Sequence, residues 1–426
     1  MNGLPRISQS RTDISSDSDG LFKANIPRRQ RIGRFWLLIF QLSTVVGILA
    51  LSALLFNIIN DSMGYMAFET KIDPNSLTGG RPITELTDEE LIKVLQENLT
   101  PNRYRTLDND EPIATRTTEE LVSLVSTEVL KIKVVDTWTL TQSLFDRKGI
   151  EQEIAEKYPS AYMQFRVWVN LNLLTSPQSS DPLASGVRTA ILGSLWIIFI
   201  TIIIAFPIGI MAAIYLEEYA TSDRWINRVI RININNLAAV PSIIYGIIGL
   251  TIFVRLLEPI TSGGIFAISD AVTQNGRTIL SGGLTLALLV LPLVIINAQE
   301  AIRAVPSSLR QASYGVGATK WQTIWSHVLP NSIPGILTGT ILAMSRAFGE
   351  TAPLLVVGVS TYITVDPAGV FSKFTTLPAQ IYQWTARPQV EWRNLAAAAI
   401  IVLVVLLLAL NATAIYFRNR FTRKYS

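Results

Sequence analysis

The sequence of 426 residues contains no cysteine and only one histidine, His327. Without cysteine the chain cannot form disulfides, cysteine-ligated zinc sites or iron–sulfur clusters. One histidine cannot build a histidine-rich metal site, and we expect no cofactor. Charged residues are also scarce, at 16%, whereas 49% of the residues are hydrophobic. This balance favours a protein with several membrane spans, and the small net charge of +4 gives no sign of a nucleic-acid partner.

Six apolar runs are long enough to cross a hydrocarbon core of about 30 Å, which takes roughly 20 helical residues. They cover residues 35–59, 189–216, 234–254, 278–296, 333–359 and 395–417. Basic residues cluster before the first run, after the sixth, and in the loops after the second and fourth. Six spans with both termini in the cytoplasm place all four clusters inside, as the positive-inside rule requires. We therefore predict an all-α, multi-pass integral membrane protein with six transmembrane helices in contact with membrane lipid.

The apolar runs also predict the division of the chain. A polar cytoplasmic tail, expected to be disordered, precedes a retained first helix, and a long external segment separates this helix from the remaining five. The predicted segments are a cytoplasmic tail at residues 1–34, a first transmembrane helix at 35–59 and a periplasmic helical domain at 60–187. A transmembrane core at 188–417 and a second cytoplasmic tail at 418–426 follow.

The external segment carries signals of helical order. Thr87 with Glu90, and Thr117 with Glu120, have the spacing of capping boxes ahead of apolar-periodic stretches. A third helical stretch is expected at about 151–174, interrupted near Pro159. We predict a small, mostly helical domain, and a loosely ordered loop is the alternative.

The loop at residues 297–332 contains Q-A-S-Y-G-V-G-A-T-K-W from Gln311 and ends in H-V-L-P at Pro330. This pattern resembles the EAA loop of ABC importer permeases, which reads E-A-A, three residues, Gly, nine residues and I-x-L-P. The matching positions are Gln311, Ala312, Ser313, Gly317, Leu329 and Pro330. Gln311, Ser313 and His327 depart from the Glu, Ala and Ile of the pattern, while the glycine and Leu-Pro keep their spacing.

The resemblance implies that these six residues couple the chain to a separate ATPase subunit. A short helix would lie across the cytoplasmic face, and a glycine would end it and turn the chain. An ordinary helical hairpin is the alternative. The sequence has no nucleotide-binding motif with the required spacing, so ATP hydrolysis is expected in a partner and the chain itself is not expected to be an enzyme.

Two charged residues, Arg346 and Glu350, lie within the fifth apolar run. A charge at the centre of a membrane costs at least about 2.5–3.5 kcal/mol, so both should face protein or water. At a spacing of four on a helix they share a face. The planar guanidinium suits a tetrahedral oxyanion, and the carboxylate could accept a hydrogen bond from protonated phosphate, which ionised sulfate cannot donate. A structural ion pair between helices is the alternative.

The segment S-R-A-F-G-E-T-A-P-L-L from Ser345 is similar to phosphate importer permeases of the PstA type, as are N-N-L-A-A-V-P-S-I-I-Y-G from Asn235 and I-A-F-P-I-G-I-M-A-A-I-Y-L-E-E-Y from Ile204. The resemblance covers about residues 180–420. It implies a MetI-like permease in the bacterial inner membrane with Arg346, Glu350 and Thr351 in the substrate pathway.

The same resemblance implies three partners: a second, related permease, a dimeric ATP-binding subunit and a periplasmic phosphate-binding protein. Other functions remain open at this point. A permease for phosphonate, sulfate or molybdate would share the loop, and an intramembrane enzyme or a membrane-anchored sensor would not.

Overall fold

The structure is a computed structural model that describes residues 18–69, 83–110, 112–130, 133–221, 224–266 and 275–425. The chain divides into two units, Met1–Asn57 and Ile58–Ser426. The helices are α1 Ser18–Asp61, α2 Asp88–Asn98, α3 Pro101–Asp110, α4 Thr118–Leu124, α5 Leu140–Phe145, α6 Arg147–Lys157, α7 Leu171–Thr175, α8 Arg188–Ile214, α9 Trp225–Ala238, α10 Ser242–Gly249, α11 Glu258–Thr261, α12 Ile279–Arg303, α13 Ser307–Gly315, α14 Lys320–Thr323, α15 Leu329–Gly349, α16 Ala352–Val357, α17 Leu377–Thr385 and α18 Val390–Tyr425. The strands are β1 Met63–Glu69, β2 Lys133–Thr137 and β3 Tyr162–Val167, and π-helical turns lie at Val125–Val129, Tyr215–Tyr219, Leu250–Leu256 and Ile324–Val328.

The first unit contains most of α1, which includes the predicted first span. The helix begins at Ser18, so residues 18–34, expected in a disordered tail, are helical. The apolar run of the span supplies a nucleus from which a helix can extend. Gly20, Pro27 and Gly33 are poor helix formers, so residue propensity does not explain this extension. The remainder of the predicted tail, residues 1–17, lies outside the described residues.

The predicted membrane helices are present, and the third one is broken. Five helical segments of the described chain are long and apolar enough to span a membrane: Arg28–Asp61, Arg188–Tyr219, Ile279–Arg303, Lys320–Gly349 and Val390–Arg420. The third predicted span, at 234–254, is not one continuous helix, because α9 and the helix that begins with α10 meet at 105°. Pro241 has no N–H for the carbonyl of Leu237, which accepts the hydroxyl of Tyr245 at 2.7 Å. Counted as one span, this bent pair brings the number of spans among the described residues to six.

Helices α8 and α12 run in the same direction. The hydroxyl of Thr201 donates to the carbonyl of Gly283 at 3.2 Å, and equally far along both helices Gln299 donates to Glu217 at 3.0 Å. Since α10 lies between them in the sequence, the chain must return across the bundle between α8 and α12. This matches the alternating topology of the prediction.

Helix α15 runs opposite to α12. The side-chain amide of Asn297 donates to the carbonyl of Gly339 at 3.2 Å, and Gly335 lies beside Ala301. Two hydrogen bonds make α18 antiparallel to α15 in the same way. The last turns of α8, α12 and α18 and the start of α15 therefore meet at one end of the bundle. We call it the basic end, because it carries Arg231, Arg303, Arg310 and Arg418.

The segment between α1 and α8 combines helices with a small sheet. Both predicted capping boxes are confirmed, since Thr87 and Thr117 each exchange hydrogen bonds with the residue three positions on. The helix expected at 151–174 is wrong in its middle part, where β3 pairs with β1 in an antiparallel sheet of order β2-β1-β3. Tyr162–Val167 is rich in aromatic and β-branched residues, and sheet pairing decided its conformation over the helical periodicity.

This sheet shares a hydrophobic core with the membrane helices. Met66 and Phe68 of β1 belong to the same buried cluster as Trp384 of α17 and Trp392 of α18. A second cluster, formed by α2–α4 and the turns around them, is separate and lies wholly within 83–129. The described part of the segment is therefore packed, and its assignment as a distinct domain at 60–187 stays a prediction.

Candidate functional site

Arg346 and Glu350 are brought together at the end of α15. The Nε atom of Arg346 lies 3.5 Å from Oε1 of Glu350, and the two side chains are 57% and 18% exposed. Arg346 lies on the same outward face of α15 as the exposed Leu342, whereas Ala343 and Ala347 are buried against the chain. The guanidinium therefore points away from the core of this subunit and has donors to spare for another group.

The fifth predicted span is not one continuous helix. Helix α15 ends at Gly349, and α16 begins at Ala352. Pro353 causes the break, because it cannot donate to the carbonyl of Gly349 and its ring would collide with that carbonyl in a continued helix. The sequence suggested that Arg346 lies near the centre of a span. In the structure it lies in the last turn of α15.

Thr351 turns the chain between the two helices. Its carbonyl accepts the amide of Leu355 at 3.0 Å, and its side chain makes no capping bond. The position of the break is held by close packing on α10, where a Cβ atom on Gly246 would lie 2.7 Å from the Cα of Pro353. Arg346, Glu350 and Thr351 thus form a short polar corner, braced from one side and open on the other.

The predicted EAA-like loop forms α13, a tight turn and α14. Gly317 has φ +83, a left-handed conformation that glycine adopts without strain. Its amide donates to Tyr314 at 2.9 Å, and Ala318 donates to Ser313 at 3.2 Å, so the glycine turns the chain just after α13. A Cβ atom at Gly317 would meet no atom of this chain within 4 Å.

The six residues predicted for coupling divide into two groups. Gln311, Ala312 and Gly317 are exposed on the loop. The other three fix its shape: Ser313 is buried at 2.8 Å from the hydroxyl of Thr323, Leu329 packs against the buried cluster at the basic end, and Pro330 starts α15.

Sequence reasoning missed two features near this loop. Trp321 and Trp325 stack at 5.7 Å between ring centroids and are both exposed, and their spacing of four on a helix was a visible signal. The π-helical turn after α8 carries Glu217 and Glu218, which pair with arginines from other elements. These partners are distant in sequence, so no local pattern indicated them.

Comparison with known proteins identifies the fold that presents these features. The family described as "Binding-protein-dependent transport system inner membrane component" matches residues 205–425. The phosphate transport system permease protein PstA of Yersinia pestis is 35% identical over 230 residues, covering 54% of this chain and 71% of that protein. The probable ABC transporter permease protein YqgI of Bacillus subtilis is 30% identical over 258 residues, covering 58% and 82%.

Among solved structures, a bacterial alginate ABC transporter in complex with an alginate pentasaccharide-bound periplasmic protein contains a chain that is 17% identical, with a TM-score of 0.43, covering 66% of this chain and 91% of that one. The family match spans more than half of the chain, and it confirms the resemblance to PstA-type permeases. The chain belongs to the family of binding-protein-dependent transport system inner membrane components, and it is an ABC importer permease of the inner membrane, a transport subunit rather than an enzyme.

Proposed function

We propose that this chain is the permease subunit of an ATP-driven phosphate importer and forms half of its translocation pathway. The observation that carries the proposal is Arg346, which is more than half exposed on the outward face of α15 next to a break in the helix. A charge in such an apolar helix needs water or a second protein surface around it. A related permease that covers this face would enclose Arg346 in a channel between the two subunits.

The chemistry of the polar corner suits monohydrogen or dihydrogen phosphate. The guanidinium of Arg346 can donate two parallel hydrogen bonds to phosphate oxygens. Glu350 is acceptor-only when ionised, so it can accept a hydrogen bond from a phosphate hydroxyl and repels an anion that has no proton. Thr351 offers a hydroxyl at the same corner. The phosphate transport named for the Yersinia pestis relative supports this substrate.

We propose that the basic end faces the cytoplasm and that the ATPase docks there. Arginines from four elements meet there, and the positive-inside rule assigns such an end to the cytoplasm. The exposed loop at Gln311, Ala312 and Gly317 would then dock on a dimeric ATP-binding subunit, and both termini would be cytoplasmic. A periplasmic phosphate-binding protein would deliver substrate at the opposite end.

Reconstitution with the second permease, the ATPase and the binding protein tests the proposal. We expect phosphate-loaded binding protein to stimulate ATP hydrolysis and phosphate entry, and sulfate, molybdate or phosphonate to support neither. In Glu350→Gln the neutral amide no longer repels unprotonated anions, so discrimination against sulfate should weaken and phosphate transport should slow. If the unaltered complex imports sulfate or molybdate and does not import phosphate, phosphate is not the substrate and the imported oxyanion is.

A further inference from the structure

Three consecutive residues after α8 connect membrane helices to the loop. Glu217, Glu218 and Tyr219 end the π-helical turn Tyr215–Tyr219, which we call the acidic turn. Carboxylates at the C-terminal end of a long helix are disfavoured by its dipole, by about 0.3–1 kcal/mol, and cationic partners offset this cost. Wide π-turns also occur preferentially at functional sites in helices. The partners of each residue therefore indicate what the turn does.

Glu217 joins membrane-embedded elements to one another. Its Oε1 atom lies 2.9 Å from Nη2 of Arg303 and 3.1 Å from Nη1 of Arg231, and it accepts a hydrogen bond from Gln299 at 3.0 Å. The Glu217 side chain is only 11% exposed. These contacts fix the end of α8 to α9 and α12, so Glu217 has the role of a structural tie.

Glu218 makes a different connection, to the loop helix α13. Its Oε1 atom accepts two hydrogen bonds from Arg310, at 3.1 Å from Nε and 2.8 Å from Nη2, and the two side chains are 6% and 19% exposed. Arg310 also donates to the carbonyls of Ile302 and Val305 at the end of α12. One guanidinium thus fastens α13 to the ends of both α8 and α12.

Tyr219 adds a second attachment at the far side of the loop. The ammonium of Lys320 lies 5.1 Å from the centre of the Tyr219 ring, within the range of a cation–π contact. Lys320 begins α14, so the acidic turn holds the loop on both sides of the Gly317 turn. The exposed residues between these attachments cannot shift without pulling on α8.

We propose that Glu218 and Arg310, assisted by Tyr219 and Lys320, are positioning residues that transmit displacement of the loop to α8 and α12 during the transport cycle. The proposal rests on the proposed function, because the displacement is supplied by an ATPase docked on the loop. A loop held only by chain connectivity would absorb part of that movement through the flexible Gly317 turn. The buried, forked pair removes this freedom and makes the loop and both helices move together.

The measurement that tests the proposal is the number of phosphate ions imported per ATP hydrolysed by the reconstituted complex. Glu218→Gln and Arg310→Gln should leave the ATPase bound and active and lower this ratio by about tenfold, within the usual range of coupling energies. Glu151→Gln is the matched control, since it removes an exposed carboxylate 2.9 Å from Arg147 that is remote from the loop. An unchanged ratio in Glu218→Gln would overturn the proposal.

A reversible bridge separates coupling from simple loss of structure. The natural chain has no cysteine, so a short bifunctional thiol reagent reacts only at introduced sites. In Glu218→Cys with Arg310→Cys, bridging should restore the import ratio and cleavage of the bridge should lower it again. A bridged protein that remains uncoupled would refute the link. If the double variant does not assemble, Arg310→Lys, which keeps the charge and loses the fork, should show the same lowered ratio.

Hydrogen exchange tests the attachment without any transport assay. In the purified complex, Glu218→Gln should speed amide exchange in α13, whereas Glu217→Gln should speed it around Arg231 in α9 and at the end of α12. Equal exchange in α13 for Glu218→Gln and the unaltered protein would overturn the proposal. Failure of the unaltered complex to import phosphate would instead contradict the proposed function, and the exchange result would still decide whether the acidic turn holds the loop.

Discussion

Replacing Arg346 by glutamine removes a guanidinium whose ion-pair partner among the described residues, Glu350, lies at 3.5 Å. That distance is at the outer limit of a hydrogen bond, and the arginine side chain is 57% exposed. Exposed pairs of this kind contribute about 0–1 kcal/mol to the free energy of unfolding. Arg346→Gln should therefore assemble with its partners and show a thermal midpoint within a few degrees of the unaltered protein.

The expected effect on transport is much larger. Two hydrogen bonds from a guanidinium to a phosphate are worth about 1.5–3 kcal/mol each, so together about 3–6 kcal/mol. Because about 1.4 kcal/mol corresponds to a factor of ten, phosphate uptake should fall at least about 100-fold in Arg346→Gln. Arg346→Lys keeps the charge and loses the planar fork, so it should retain intermediate activity.

Uptake of labelled phosphate by reconstituted vesicles measures this loss, and co-purification of the partners measures assembly. Arg147→Gln is the matched control, because Arg147 and Glu151 form an equally spaced, exposed pair outside the pathway. The double variant Arg346→Glu with Glu350→Arg decides between the two readings of the pair. Good phosphate transport by this swapped variant would refute a role of Arg346 in substrate binding, because only a structural pair tolerates exchange of its charges.

Three further predictions concern the loop, the topology and the external segment. Gly317→Asp should insert normally, because the space around its Cβ is open and the strain of a side chain at φ +83 is confined to the loop. It should lose transport by obstructing the ATPase, and Gly317→Asn, which carries similar bulk and similar backbone strain without the charge, separates the effect of charge from both; normal uptake by Gly317→Asp would contradict the docking assignment. A reporter near Asn109 should be active only outside the cytoplasm and one after Ser426 only inside, and the reverse pattern would overturn the six-span topology. Deleting residues 83–130 removes the separate α2–α4 cluster and keeps the three strands, so the protein should still assemble. It should capture substrate less well from the loaded binding protein at limiting phosphate, and unchanged uptake would exclude a role of the cluster in this capture.

Hydropathy and cap chemistry located most of the helices correctly. Long uncharged runs have one stable solution in a membrane, and the hydrogen bonds of the Thr87 and Thr117 caps are local. The breaks at Pro241 and Pro353 were missed for a related reason. Mean hydropathy over a window of residues does not show the position at which a proline, which has no N–H, lets the helix bend.

The missed interactions are those that depend on distant partners. β3 was read as helix because its pairing with β1 joins residues about a hundred positions apart. Glu218 and Arg310 are separated by 92 positions, and nothing near either residue indicated the other. The charged pair at Arg346 and Glu350 was found because it is local, although its place at a helix end was not.

The strand order of the sheet between α1 and α8 has a consequence for the folding of the nascent chain. β1 is the central strand, and its partner Val167 leaves the ribosome about a hundred residues after Met63. The cluster at 83–129 is built from nearby contacts and can fold during this interval, while the complete sheet must wait for β3 to be synthesised. Halving the length of a flexible loop lowers the free-energy cost of closing it by only about 0.6 kcal/mol. The folded helices shorten the flexible chain between β1 and β3, but this shortening therefore speeds the pairing of the two strands only a little. The folding of these helices before β3 arrives reduces the number of conformations in which the edge of β1 that β3 later covers is exposed to aggregation.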